Sequence, residues 1–458
     1  ILWNTFNFSG TNTQSNDQFK MDCGDYNPIL GKSYGEIAAA SRSQHKSQGF
    51  GVPAQRGSVI EYFKTIKGTA PVNDLMEGVN LDWMWLSSVD HQNQDGVGVK
   101  NKINSIIKNY SVENPEKSLP ALVDLYKNME AMHDDGYWKN KKMEEVKELV
   151  QNCSGLFMDA TTNTQYAVPG DSLKINLVVN NRSGANVLSA DAHVNDDYII
   201  FDQLKKNINS TKTYGMVVRH NTRPTQPYWL ENTMDKGSFN VTDQQQIGKG
   251  ETDPFSVVFS MLIEGREFKF TKPVRYKFTD PVKGELYQPV TILPLAEVNY
   301  SSNVFLAINN KPVEIGTHVK SNLPVASTFT VTKQTSLKVK NAANPFTFKS
   351  STDNKVNNES SVFSFNGVEG DYVEEIKLQA SDGAGVFQQY KKNIEYDHIP
   401  SIVYFHEATA KLSKIDLKSF DAIVTGIRAY NTNDWMQNHN EKLLEYVKQG
   451  GNFVVQYN

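Results

Sequence analysis

The sequence predicts a multidomain α+β chain: a helical module, two β-sandwiches in tandem and a closing α/β unit. Three observations predict it. Apolar residues recur at helical spacing between about 66 and 154. Short β-branched runs, split by Asn, Ser, Thr and Gly, continue from 155 to about 395. A strand, a helix, Gly-Gly and a second strand then close the chain.

Taken in order, Leu2-Trp3-Asn4-Thr5-Phe6 reads as a strand, and Ser9 to Asp17 as a polar loop. Ser33-Tyr34-Gly35-Glu36 has capping-box spacing and opens a helix expected to run to about Gln48. Gly49, Gly51 and Pro53 stop it. In the helical module, Val99, Ile103, Ile106, Ile107 and Tyr110 form one stripe. Leu122, Leu125, Tyr126, Met129 and Met132 form another, and Trp138 to Val150 a partner helix. Leu173 to Val179 opens the first sandwich, expected over 155–272. The second is expected over 273–398, divided from the first near Lys272-Pro273 to Pro281. In the last segment, 399–458, Phe420 to Gly426 is a strand and Asn440 to Lys448 an amphipathic helix carrying Leu443, Leu444 and Val447. Gly450-Gly451 ends that helix before the strand Phe453-Val454-Val455. This succession implies parallel strands.

The 458 residues suit about three domains at roughly 150 residues each. With 39% hydrophobic residues the chain has material for real cores. A net charge of −4, with no basic cluster, argues against nucleic-acid binding, which needs a basic surface. The longest mostly apolar run, Phe255 to Ile263, falls far short of the ~20 residues that span a bilayer. Cys23 and Cys153 cannot build a disulfide framework; they either pair or stay free. Strand-like residues at both ends suggest a fragment of a longer protein.

Chemistry-bearing patterns are few. His133-Asp134-Asp135 has the look of a metal pair, but Asp-Asp-Gly is ordinary turn chemistry between helices. Asp90 to Gly96 fails as a calcium loop: Gln fills the third and fifth positions and no closing Glu follows. No HExxH, GxSxG or phosphate loop is present. Tyr228-Trp229 can stack on sugar rings or pack in a core. Arg428, with Asn431 nearby, follows the carboxyl end of a parallel strand, where open α/β sheets bind ligands. Arg428 either clamps a carboxylate or phosphate there or pairs with a loop acid. Ser41 to Gln48 is dense in Ser and Gln and is suited to line a cleft.

Asp22, Tyr26-Asn27-Pro28, Gly31 to Ile37 and Ser41 to Gly49 resemble the end of the deacetylase domain of PIG-L/LmbE-type proteins (GlcNAc-PI de-N-acetylase-like). In that family a lysine begins a helix that closes with His-Lys/Arg-Ser-Gln. The matching positions are Lys32, His45, Lys46, Ser47 and Gln48. The match covers about residues 1–65. The order of the remaining modules is similar to large family members of Bacteroidetes type. In these a helical segment, β-sandwiches and a class I glutamine amidotransferase-like domain follow the deacetylase. Phe420 to Asn431 and Tyr446 to Asn452 look like the start of that last domain, a partial flavodoxin-like unit.

The resemblance implies a zinc-dependent hydrolase that removes the acetyl group from an N-acetylglucosamine-type sugar or glycoconjugate. It implies zinc held by a His-Pro-Asp-Asp motif and a later histidine. None of these stands in the sequence, so no metal ligand is carried over and the motif is expected outside the fragment. Lys32, His45, Lys46 and Gln48 are expected to support the cleft. No Gly-rich unit precedes Phe420 and no Gly-x-Cys elbow follows, so amidotransferase chemistry is not expected. Sandwiches rich in Asn, Ser and Thr suit the periplasm or cell exterior. The rival reading is a non-catalytic carbohydrate- or protein-binding sandwich scaffold.

Overall fold

The computed structural model describes residues 1–79, 83, 95–132, 136–232, 234–250, 253–308, 312–335, 338–340, 345–364, 372–381, 386–387, 389–396, 399–407, 409–433 and 435–456. Most of its elements are strands, gathered in several small sheets, with a few helices. It divides into two compact units, Ile1–Asn101 and Lys102–Asn458.

In the first unit, Ile60–Thr65 is the middle strand of a three-stranded antiparallel sheet, flanked by Leu2–Thr5 and Phe19–Asp22. The helix Tyr34–Arg42 starts at the Ser33 capping box, as its spacing predicts. It is shorter than expected. The Ser43 N–H closes it on the Ala39 carbonyl, and a separate 3-10 turn, Lys46–Gln48, follows. Ser43 is a weak helix continuer because a serine hydroxyl competes for backbone groups; here it accepts the Val52 N–H (3.4 Å). Residues 66–79, expected to be helical, form bends and turns instead. The Glu77 carboxylate accepts the N–H groups of Val72 (2.6 Å) and Asn73 (3.0 Å) and fixes that turn. Over 1–79 the only buried apolar side chain is Ala39. The segment Asp90 to Gln94 lies outside the described residues, as does His133-Asp134-Asp135.

In the second unit the helices Leu119–Ala131 and Tyr137–Ser154 bury Leu119, Leu122, Val123, Val150 and Cys153 in one core with the first sandwich. They are a cover on that sandwich rather than a separate module. Tyr126 meets Phe268 edge-on at 5.1 Å, and Arg266 pairs with Glu130 at 2.6 Å. Ile107 and Tyr110, expected on the apolar stripe of Asp95–Asn109, are exposed.

The first sandwich stacks a five-stranded sheet on a four-stranded one. The order of the first sheet is Ser210–Val217, Ser172–Asn181, Leu156–Thr162, Arg275–Asp280, Gly284–Pro289. The second runs Asp197–Ile200, Val187–Val194, Ser256–Ile263, Arg266–Pro273. Leu173, Ile175, Leu177 and Val179 face Val257, Phe259, Met261 and Ile263 through one continuous core. The period of two puts every second residue inside. Glu264 and Gly265 both take positive φ (47° and 72°), the geometry of a two-residue hairpin. The expected division at 272/273 is corrected. Arg275–Asp280 pairs in parallel with Leu156–Thr162 and antiparallel with Gly284–Pro289, so the first sandwich keeps both strands.

In the second sandwich one sheet is ordered Ala296–Tyr300, Val313–Ser321, Val356–Ser364, Lys338–Lys340. Its partner is ordered Val304–Ile308, Thr409–Ile415, Tyr372–Ser381, Thr328–Gln334, Phe346–Lys349. Phe329, Phe348, Phe363 and Leu412 lie in their shared core. Thr409–Ile415 belongs to this sheet, which moves the expected boundary at 398/399 to about 416. The closing unit is a parallel pair, Ala422–Val424 with Asn452–Val454, joined through the helix Trp435–Lys448. That helix starts earlier than expected and buries Met436, His439, Leu443 and Tyr446, while Leu444 and Val447 are exposed. No helix among the described residues is long and apolar enough to cross a membrane.

Candidate functional site

The residues matched to the deacetylase pattern lie along one short helix and its flanks. Lys32–Ser33 pairs antiparallel with Tyr26–Asn27 and delivers the chain to the helix. The Ser33 hydroxyl accepts the Glu36 N–H (3.2 Å), and the Glu36 carboxylate accepts the Ser33 N–H (2.9 Å). Arg56 holds the other Glu36 oxygen at 2.7 Å. The Ser33 N–H, aided by Arg56, keeps the Glu36 carboxyl below its usual range. At the other end, His45 Nδ1 lies 3.2 Å from Gln48 Oε1. An amide oxygen only accepts, so Nδ1 carries a proton in this contact. The His45 ring lies 6.2 Å from Phe50, and Arg42 sits 5.5 Å over the Phe50 ring.

The structure thus brings His45 and Gln48 together, with Lys46 beside them. It leaves Lys32 across the full nine-residue helix, about 13 Å of helix length away. Lys32, His45, Lys46 and Gln48 are all exposed. Asp22, part of the same pattern, is committed to the backbone: one oxygen accepts Gly24 N–H (2.8 Å) and Val59 N–H (2.9 Å). A bond from Ser58, then these two, lower its pKa. A side chain at Gly24 would stand 1.9 Å from the Gly57 carbonyl oxygen, so only glycine fits that close approach.

Tyr228 and Trp229 form a half-buried edge-to-face pair at 4.9 Å in a 3-10 turn. The Tyr228 hydroxyl accepts the Gly248 N–H at 3.2 Å. The neighbouring Gln226 pairs with Phe405 as one peptide pairs with another: its amide donates to the carbonyl (2.6 Å) and accepts the N–H (3.0 Å). Val168 and Leu293 of the first sandwich's margin pack with Phe405 at the same place. This stretch therefore ties the margin of the first sandwich to the strand Ile399–Glu407, which pairs only with Gln389–Tyr396 among the described residues. Arg428, at φ 56°, starts the short helix Ala429–Thr432, and its carbonyl accepts the Asn431 and Thr432 N–H groups. Arg428 and Asn431 are exposed within one turn.

Sequence reasoning missed several buried polar groups. Lys139 donates to the Glu130 (3.1 Å) and Met132 (2.6 Å) carbonyls at the end of the preceding helix. Lys333 is buried against Glu359 (3.1 Å) and Ser361, 4.9 Å over the Phe346 ring. His439 is buried at positions i+3 from Met436 and i−4 from Leu443, a spacing that does place it on the buried face. Cys23 and Cys153 are free thiols, both pushed up in pKa chiefly by burial.

Among the described residues no group of three or more His, Cys, Asp or Glu side chains is placed to hold a metal ion. The site residues present do not fit zinc by themselves.

No protein-family model and no curated protein matches the chain. Similar solved structures are distant. Fibronectin(III)-like modules of Clostridium thermocellum CbhA are 10% identical, over 57% of this chain and 93% of that one, with a TM-score of 0.15. A protein of unknown function from Porphyromonas gingivalis W83 is 9% identical, over 57% and 98%, with a TM-score of 0.16. Red sea bream transglutaminase is 9% identical, over 61% of this chain and 34% of its own, with a TM-score of 0.24.

Proposed function

We propose that the chain is part of a PIG-L-type zinc-dependent de-N-acetylase that acts on an N-acetylglucosamine-type sugar or glycoconjugate. In this reading residues 1–65 close the catalytic domain, and the zinc motif is supplied by sequence outside these 458 residues. The observation that carries it is the state of that segment. It has defined strands and a capped helix, yet Ala39 is its one buried apolar side chain among the described residues. Trp3, Phe8, Ile29 and Leu30 stand exposed. A segment with ordered elements and no core of its own is suited to lie against more polypeptide. His45, its ring oriented by the Nδ1–Gln48 contact, would orient groups at the cleft rim. The sandwiches would be accessory modules, and the location periplasmic or extracellular. The closing unit resembles the start of an amidotransferase-like domain without its nucleophile.

The test begins with the coding sequence upstream of Ile1. A strand followed by His-Pro-Asp-Asp is expected. The longer gene product should then release acetate from a chromogenic N-acetylglucosamine substrate, and the 458-residue chain should not. Absence of the motif, or acetate release by the 458-residue chain, overturns the proposal.

A second reading, a carbohydrate-binding scaffold, rests on the half-exposed Tyr228–Trp229 pair. It requires that Trp229→Ala abolish retention on a glycan matrix. Unchanged retention, or none by the native chain, removes it.

A further inference from the structure

A cavity of about 530 Å³ lies between the closing unit and the edge strand Val304–Ile308 of the second sandwich. Its volume falls within the range of small-molecule sites. Leu306, Phe420, Ile423, Trp435, Met436 and Phe453 supply apolar walls. It borders Thr425 and Gly426, immediately past the carboxyl end of the strand Ala422–Val424, the position at which open parallel sheets receive ligands.

The polar groups on its wall are nearly all spoken for. The Asn433 amide donates to the Ala429 carbonyl (3.1 Å), and the Thr432 hydroxyl to the Arg428 carbonyl (3.0 Å). The Thr425 hydroxyl accepts the Gln456 N–H (3.2 Å). His439 differs. It is 5% exposed, and its Nε2 lies 3.3 Å from the Val304 carbonyl oxygen. A carbonyl only accepts, so Nε2 carries the proton and Nδ1 holds a lone pair. That Nδ1 is buried and has no hydrogen-bond partner among the described residues. Burial also holds the imidazole below its ordinary pKa, so the ring is neutral at pH 7 and Nδ1 remains an acceptor.

We propose that this cavity binds an uncharged, mainly apolar small molecule whose hydroxyl or N–H group donates to His439 Nδ1. Apolar walls reward removal of hydrocarbon from water, and the orphaned acceptor selects for a donor. A charged ligand is disfavoured, because none of the described residues that line the cavity carries a charge. The inference is independent of the deacetylase reading, since it uses only residues 304–456.

The probes are 4-tert-butylphenol and tert-butylbenzene, which differ by one hydroxyl. Binding is followed on the native chain by the Met436 methyl resonance in a ¹³C-methyl-methionine sample, assigned with Met436→Leu. The phenol should shift this resonance saturably and bind at least about tenfold more tightly than the hydrocarbon, the equivalent of about 1.4 kcal/mol. In His439→Phe, which keeps a ring but removes the acceptor, the preference should vanish. Equal affinity of the two probes for the native protein overturns the proposal, as does an unmoved Met436 signal. A phenol preference that persists in His439→Phe also overturns it. The native-protein comparison stands even if that variant does not fold.

Discussion

Strands of the first sandwich and strands of the closing unit use the same residue types to different ends. In Ser256–Ile263, Val257, Phe259, Met261 and Ile263 are all completely buried. In the closing unit Val424 is 55% exposed and Val454 49%. Ser256–Ile263 belongs to an antiparallel sheet with one face covered by the other sheet, so alternation alone places the apolar set inside. Parallel strands carry apolar residues on both faces because both are normally covered. Here one helix covers one face of a two-stranded sheet. Apolar sequence therefore stabilises only where the topology supplies a second layer.

The largest effect that would sharpen this contrast is expected at Phe259. Phe259→Ala should destabilise the first sandwich by about 3–5 kcal/mol in denaturant unfolding, the range for a buried aromatic. A loss below about 1 kcal/mol would mean that the sandwich core is looser than its burial indicates. Next comes the helical cover. Lys139→Ala removes charge-assisted bonds to two helix-end carbonyls and should cost about 2 kcal/mol. A neutral result would show that water replaces the ammonium there.

A smaller effect, confined to the closing unit, concerns acid. Burial, aided by the Lys442 ammonium, lowers the His439 pKa below 6.5. As pH falls below that value the unfolded chain takes up a proton before the folded one does. Stability of the unit is therefore full above pH 6.5 and is lost as pH falls through the folded pKa. Amide exchange of Trp435–Lys448 should accelerate in acid relative to the first sandwich after correction for intrinsic rates, and His439→Phe should remove that difference. The smallest effect is at the uncovered face: Val424→Thr should change stability by less than about 0.5 kcal/mol. A larger loss would show that this face is covered in solution.

Much of this was legible locally. The Ser33–Glu36 spacing specifies a capping box, and the structure has it. Leu173 to Val179 announces its alternation, and Phe420 to Val455 its strand–helix–strand order. What escaped was set by distant partners. Arg275–Asp280 joins the first sandwich because it pairs with Leu156–Thr162, a choice no nearby residue encodes. Thr409–Ile415 joins its sandwich for the same reason: its partner Val304–Ile308 stands far away in the sequence. At the candidate site, His45 and Gln48 are legible as cleft candidates by their pattern, and the contact between them is shown by the structure alone. The burial of His439 was readable from its helix face, but its bond to Val304 was not.

The parallel pairing of Val304–Ile308 with Thr409–Ile415 carries a consequence for how the protein is made. Val304 meets Lys411, roughly a hundred positions later in synthesis, so an early strand must wait while the intervening polypeptide leaves the ribosome. Until then one edge of the sheet stands unpaired, open to wrong partners. The first sandwich, whose last strand ends at Pro289, can finish before the second has its closing strand. Assembly is then ordered from front to back, with the later sandwich the slow and aggregation-exposed step.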